Sequence, residues 1–297
     1  MLAATNVRHT NQERLSLDVQ KAQAVTQVAK LTVGSLFAGV GGIELGLERT
    51  DGFRTVWQVE RDLFATRVLE RHWPCVRRWG DVRNCQPDPS DEWRCDLVCG
   101  GDPCPKHGNA RCGQPTRHPD LSGYFLALVG RLCPRWVVRE NVPAPTTAHF
   151  EAALDALGYG AVVVRIDAAA LTGQARIRDF VIGCYHADRR MLRETFSECE
   201  DDPGFSQTRL ALAQKVACLT TNRTRHNTDD NNIWEPKRVL RILDSQEREA
   251  LAGFPTGWTA GFSSTARARM LGNAVVPAVA EFIGHRILAA EKAKGGG

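Results

Sequence analysis

The chain has 297 residues, 43% hydrophobic and 24% charged, with a formal net charge of +4. This excludes a disordered or fibrous protein and suffices for one large domain with a smaller lobe; the mild positive charge permits nucleic-acid binding without requiring it. No apolar run reaches the roughly 18 residues of a membrane span, and the polar N-terminus lacks a signal-peptide apolar core, so a cytoplasmic protein with no membrane association is expected.

Residues 1–30 read as a polar leader. Strands are then expected at Leu31 to Phe37, Phe53 to Val59, Leu97 to Cys99, Trp136 to Val138, Ala161 to Ile166 and Phe180 to Cys184. Helical patterns fall between them, at Ile43 to Arg49, Asp62 to His72, Tyr124 to Leu132 and Phe150 to Leu157. Valine-rich strands separated by helices predict an α/β fold with a Rossmann-like, mostly parallel sheet covered by helices on both faces. From His186 to Pro236 the chain is polar, irregular and slightly acidic, with seven Arg/Lys against nine Asp/Glu, and reads as a small irregular lobe. Helical periodicity returns at Leu243 to Leu251 and, as one helix, at Ala266 to Leu288. The ten cysteines are expected to be reduced. Cys95, Cys99, Cys104 and Cys112 lack paired C-x2-C spacing, so no metal site is expected.

Cys104 stands out. It follows an apolar run and two glycines, in Gly100-Gly101-Asp102-Pro103-Cys104-Pro105. Such a loop lies at the carboxyl edge of a sheet, where open α/β folds bind ligands. An exposed thiol held between prolines suits a nucleophile, whereas an arbitrary cysteine is more often a small buried side chain. The first strand runs into Phe37-Ala38-Gly39-Val40-Gly41-Gly42, whose glycines let a ligand approach the backbone. Glu60 ends the second strand at a spacing that suits ribose hydroxyls, and Asp81 offers an acceptor for an adenine amine. Together they suggest a nucleoside-containing cofactor. Glu140 and its neighbours Asn141 and Val142 follow the strand at Trp136, at the same edge as Cys104. Gln174-Ala175-Arg176-Ile177-Arg178 places alternating arginines on one side of an extended segment, able to clamp an anion or a carbonyl.

In these residues the chain resembles the DNA cytosine-5 methyltransferases, over about Leu31 to Ala290. Phe37 to Gly42 is similar to the family's S-adenosylmethionine loop, Pro103-Cys104 to its nucleophile motif, Glu140-Asn141-Val142 to its catalytic acid motif and Gln174-x-Arg176-x-Arg178 to its arginine motif. Arg238 to Pro255 resembles the segment supporting target recognition, and Gly272-Asn273-Ala274-Val275-Val276-Pro277 the last motif. Asp102 and Pro105 stand where the family commonly has proline and glutamine. Asp102-Pro103 also resembles part of the motif of DNA amino-methyltransferases, but the other motifs would then go unexplained.

The resemblance implies a catalytic domain over residues 31–185 that binds S-adenosylmethionine, a target-recognition lobe over 186–265, and a C-terminal helix over 266–297 returning to the catalytic domain. It implies cofactor contacts from Phe37, Ala38, Gly39, Gly41, Gly42, Glu60, Arg61, Asp81, Val82, Pro103, Asn273 and Val275. Cys104 would add to C6 of a flipped-out cytosine, Glu140 would protonate N3, and Arg178, supported by Arg176, would hold the base carbonyl. Lys106, His107, Arg111, Gln174, Arg209, Arg223 and Arg225 are the expected nucleic-acid contacts, most through phosphate. An inward-turned Asp102 would add negative charge near the thiol and raise its pKa. A monomer acting on double-stranded DNA is expected, with restriction-modification a role in which a cognate nuclease is not legible. A tRNA substrate, or nucleic-acid binding without catalysis, stays open as an alternative.

Overall fold

The structure, a computed structural model, describes residues 29–87, 92–103, 120–197, 232–234 and 240–295. Seven strands form the sheet: β1 (Leu31–Leu36), β2 (Phe53–Val59), β3 (Arg77–Trp79), β4 (Leu97–Gly100), β5 (Trp136–Asn141), β6 (Tyr159–Asp167) and β7 (Ile177–Tyr185). Their spatial order is β3-β2-β1-β4-β5-β7-β6. The pairs from β3 to β5 are parallel, and β7 runs antiparallel to both β5 and β6. The expected mostly parallel α/β sheet is therefore present.

Alternation along the strands splits the core. Val33, Leu97, Trp136 and Val138 pack with Ile43 and Leu47 of helix α1 (Gly42–Arg49), and with Ile283 and Ile287 of a C-terminal helix. Leu36, Val98, Val137 and Val181 point to the other face. There they meet Phe125 of α3 (Ser122–Leu132) and Phe150 and Leu154 of α4 (Pro145–Ala156). Strands buried on both faces read as nearly continuous apolar runs, which made them visible in the sequence. Helix α2 (Leu63–His72) lies between β2 and β3 in sequence, with Asp62 accepting the N–H groups of Phe64 and Ala65 as its N-cap. After β6 comes the short α5 (Ala169–Thr172), and after β7 comes α6 (Arg189–Ser197). Leu192 and Phe196 of α6 are buried in the same core as Val162 and Val164 of β6. Residues 189–197, expected in the small lobe, thus cover the sheet.

Beyond α6, the described strands and helix of that lobe are a two-stranded antiparallel ribbon, β8 (Asn232–Trp234) with β9 (Leu240–Ile242), and α7 (Ser245–Leu251). The single helix expected over 266–288 is two, α8 (Ser264–Asn273) and α9 (Pro277–Gly295). Pro277 explains the break: its ring disfavours helical geometry at Val276, and its fixed φ suits the first turn of a new helix. No helix among the described residues is long and apolar enough to cross a membrane.

Candidate active site

The carboxyl ends of β1, β2, β4 and β5 share one edge of the sheet. Leaving β1, the chain turns through Phe37, Gly39 and Gly41 at φ of 53°, 57° and 84° before α1 begins. A positive φ is costly for Phe37 and persists only where its surroundings enforce it, a condition common at binding sites. Ala38 donates its N–H to the Val59 carbonyl at 3.1 Å, fixing the turn beside the tip of β2. Glu60, just beyond that tip, accepts the N–H groups of Gly39 at 2.7 Å and Asp62 at 2.6 Å. Burial pushes its carboxyl pKa up.

Asp81 follows β3. It caps a short 3-10 turn (Val82–Asn84), accepting the Arg83 N–H at 3.0 Å and the Arg83 guanidinium at 2.6 Å, with Arg61 at 3.7 Å. The hydrogen bonds from the Arg83 side chain hold the Asp81 pKa at about 2. Val82 is buried beneath it. Two carboxylates at the tips of adjacent strands, beside a loop of left-handed turns, form an acceptor set for the hydroxyl and amine donors of a nucleoside. The residues fit such a cofactor.

The last motif closes on this loop. A Cβ on Gly42 would stand 2.1 Å from the Val275 carbonyl oxygen, so only glycine permits the approach. Asn273 is exposed at the end of α8.

At the end of β5, the antiparallel pairing of β7 with β5 sets Glu140 opposite Phe180 and Asn141 opposite Asp179. This reversal carries the start of β7 to the end of β5, and Arg178 Nε lies 3.0 Å from Glu140 Oε1. The two side chains are 19% and 11% exposed, enclosed yet reachable. A Cβ on Gly101 would meet Glu140 Oε2 at 2.8 Å, so the carboxyl group lies against the stem that leads to Cys104. A small cavity is lined by Glu140, Arg176, Arg178, Phe180 and Val275, joining the acid and arginine motifs to the last motif. Arg176 is buried and donates to the Gly272 carbonyl at 3.0 Å, so it braces the end of α8.

Asp102 does turn inward, but not as an isolated charge. Its carboxylate accepts two bonds from Arg139, from Nε at 2.5 Å and Nη2 at 2.8 Å, and both side chains are at most 2% exposed. Asn141 Nδ2 donates to the Asp102 carbonyl at 3.1 Å. Pro103 is half-buried. Cys104, Lys106, His107, Arg111, Arg209, Arg223 and Arg225 lie outside the described residues, as do residues 1–28, expected to form a polar leader. Gln174, expected to touch nucleic acid, is 1% exposed, and its amide has no partner among the described residues. Upstream of the loop, burial raises the Cys95 thiol to about 12 and the Cys99 thiol well above its ordinary value, so both stay protonated and unreactive.

Sequence reasoning missed the residues that brace the loop between β1 and α1. Trp258 donates its indole N–H to the Val40 carbonyl at 2.8 Å and stacks on His72 with ring centroids 3.5 Å apart. Buried Glu249 accepts from the N–H groups of Gly257 and Thr259, each at 2.7 Å, and from Arg267 at 2.8 Å. A tryptophan within the turn Thr256-Gly257-Trp258-Thr259 was the available signal. The segment Leu251 to Pro255, expected to support target recognition, also reaches this loop: Phe254 shares a core with Val40, Trp73 and Trp258.

Comparison with known proteins places the chain among relatives. The model of the C-5 cytosine-specific DNA methylase family matches residues 31–202 and 191–289. The chain is similar to Type II methyltransferase M2.BsuMI of Bacillus subtilis (strain 168), at 26% identity over 86% of this chain and 75% of that protein. It is also similar to Type II methyltransferase M.HindV of Haemophilus influenzae, at 24% identity over 86% and 96% of the two chains. Among solved structures, a mutant DNMT2 of Spodoptera frugiperda matches with a TM-score of 0.64 at 13% identity, over 87% of this chain and 100% of that one. That last likeness concerns fold alone.

Proposed function

The chain belongs to the C-5 cytosine-specific DNA methylase family, and we propose that it acts on double-stranded DNA, through a covalent adduct between Cys104 and C6 of a flipped-out cytosine. The observation that carries this reading is the Glu140–Arg178 pair at 3.0 Å beside the Gly101–Pro103 stem. An acid and a guanidinium there can bind the N3 and carbonyl edge of a pyrimidine, the ring that Cys104 is proposed to attack.

The chain's own residues would then act as follows. Glu60 and Asp81 accept hydrogen bonds from the ribose hydroxyls and the adenine amine of S-adenosylmethionine, with Phe37 to Gly42 and Val275 enclosing it. When bound, S-adenosylmethionine supplies an electrophilic methyl group. Arg178 holds the cytosine carbonyl, Glu140 gives a proton or hydrogen bond to N3, and the Cys104 thiolate adds to C6, which makes C5 electron-rich. Loss of the C5 proton and of Cys104 later restores the ring. A base inside a duplex cannot reach this edge, so it is flipped out at a cost of a few kcal/mol. Basic residues from Lys106 to Arg111, with Arg209, Arg223 and Arg225, are proposed to offset that cost through phosphate contacts. The protein is proposed to work as a monomer in the cytoplasm.

The test is incubation of purified protein with labelled S-adenosylmethionine and either bulk DNA or bulk tRNA, followed by nucleoside mass spectrometry. We expect 5-methylcytosine in DNA. Product in tRNA alone would overturn the substrate assignment, and cofactor binding with product in neither would overturn the catalytic one.

A further inference from the structure

We propose that Asp102 and Arg139 form a positioning pair that locks the Gly101–Pro103 stem, which leads into the nucleophile, onto β5. The proposal rests on the reading of Cys104 as nucleophile, two residues along the chain from Asp102. The position of Asp102 is one the resembling family commonly fills with proline, and nothing in the proposed chemistry uses a second acid there. The structure gives it a partner instead. Arg139 lies in register with Gly100 across the β4–β5 pair, so its side chain starts level with the end of β4. Its fork then grips Asp102 through two parallel hydrogen bonds, at 2.5 and 2.8 Å.

The alternation of β5 makes this a three-sided hold. Arg139 and Asn141 project from one face, and they take the Asp102 carboxylate and the Asp102 carbonyl. Glu140 projects from the other and lies against Gly101. One tripeptide therefore carries the proposed acid and also holds the stem that precedes the proposed nucleophile.

Electrostatics sharpens the argument. A buried carboxylate alone would oppose a thiolate formed two residues away, and a buried guanidinium alone would be equally costly. Paired, they cancel as a bidentate unit, and the guanidinium carbon also sits 4.5 Å over the Phe150 ring. Arg139 Nη1 has no hydrogen-bond partner among the described residues, which is what a fork committed to one carboxylate and one ring leaves over. Breaking a buried pair from one side is costly, whereas replacing both partners with apolar groups is often neutral.

The experiment measures turnover and KM on bulk DNA with labelled S-adenosylmethionine, plus cofactor affinity by calorimetry, for Asp102→Asn, Arg139→Leu and the double variant Asp102→Pro/Arg139→Leu. Each single change is expected to lower turnover by at least about tenfold, with cofactor affinity altered by less than about threefold, and the double is expected to regain at least about tenfold over either single. If a single variant fails to fold, Arg139→Lys replaces it: it keeps the charge and loses the fork, and reduced turnover at unchanged cofactor affinity is expected. Folded single or lysine variants with wild-type turnover, or a double no faster than the slower single, would overturn the proposal. Cys104→Ala is the control. Activity in that variant refutes the nucleophile reading; its inactivity together with normal pair variants refutes only the positioning pair.

Discussion

Trp258 and Val40 are joined across 218 residues by a 2.8 Å hydrogen bond from the indole N–H to a carbonyl of the loop between β1 and α1. The residues between Leu251 and Phe262 therefore reach back to the edge of the sheet that holds Glu60. His72 stacks on the face of the same indole, and Trp73 and Phe254 complete the cluster.

Trp258→Phe keeps most of the ring and removes the donor. The Val40 carbonyl would be left buried without that partner, at a cost of about 1–3 kcal/mol. We expect a lower thermal midpoint and an affinity for S-adenosylmethionine weakened by about three- to tenfold, read by calorimetry, with turnover at saturating cofactor little changed.

Gly42 tests the return of the last motif. Alanine there would put a methyl group 2.1 Å from the Val275 carbonyl, a contact relieved only if α1 and the segment before α9 separate. Gly42→Ala is expected to lower stability by about 1–3 kcal/mol in a denaturant melt and to weaken cofactor binding. Wild-type values for both would show that the approach is looser than described.

Arg178 offers a direct test of the proposed catalytic role of this edge. Arg178→Lys keeps a positive charge but loses the planar fork that can serve Glu140 and a base carbonyl together. Turnover should fall by about a hundredfold, with cofactor affinity unchanged. An equal fall in both would place Arg178 in general folding instead.

Glu44 predicts a pH dependence of stability. It lies in α1, fully enclosed, with Gln58 Nε2 at 3.2 Å, and burial pushes its carboxyl up to about 7. The folded state therefore holds the proton more tightly than the unfolded chain. The contribution of Glu44 to stability is greatest below about pH 4.5, falls as pH rises towards 7 and levels off above it, a loss from this one group of on the order of 3 kcal/mol. Glu44→Gln should remove this slope, so its advantage over the wild type grows between about pH 5 and about pH 7 in urea melts. Parallel curves for the two proteins would contradict the assignment.

Much of this arrangement was legible beforehand. Val-rich strands buried on both faces have a signature that polar loops lack, and residues at strand tips were placed at the correct edge by that pattern alone. Direction was not legible. The hydrophobic pattern of Phe180 to Cys184 is the same for either orientation, so the reversal that brings Arg178 to Glu140 had to be seen. Arg139 was hidden for a related reason. A charged residue at a strand end reads as solvated, and its partner Asp102 is 37 residues away, reached only by pairing β4 with β5. The split at Pro277 was readable in principle, but the apolar periodicity on both sides masked it.

The central claim is that Cys104 performs covalent catalysis on cytosine in DNA. The most direct test is nucleoside mass spectrometry of DNA from cells expressing the wild type or Cys104→Ala. The account predicts 5-methylcytosine with the wild type and none above background with the variant, while the variant still binds S-adenosylmethionine. Substantial 5-methylcytosine from Cys104→Ala would contradict it.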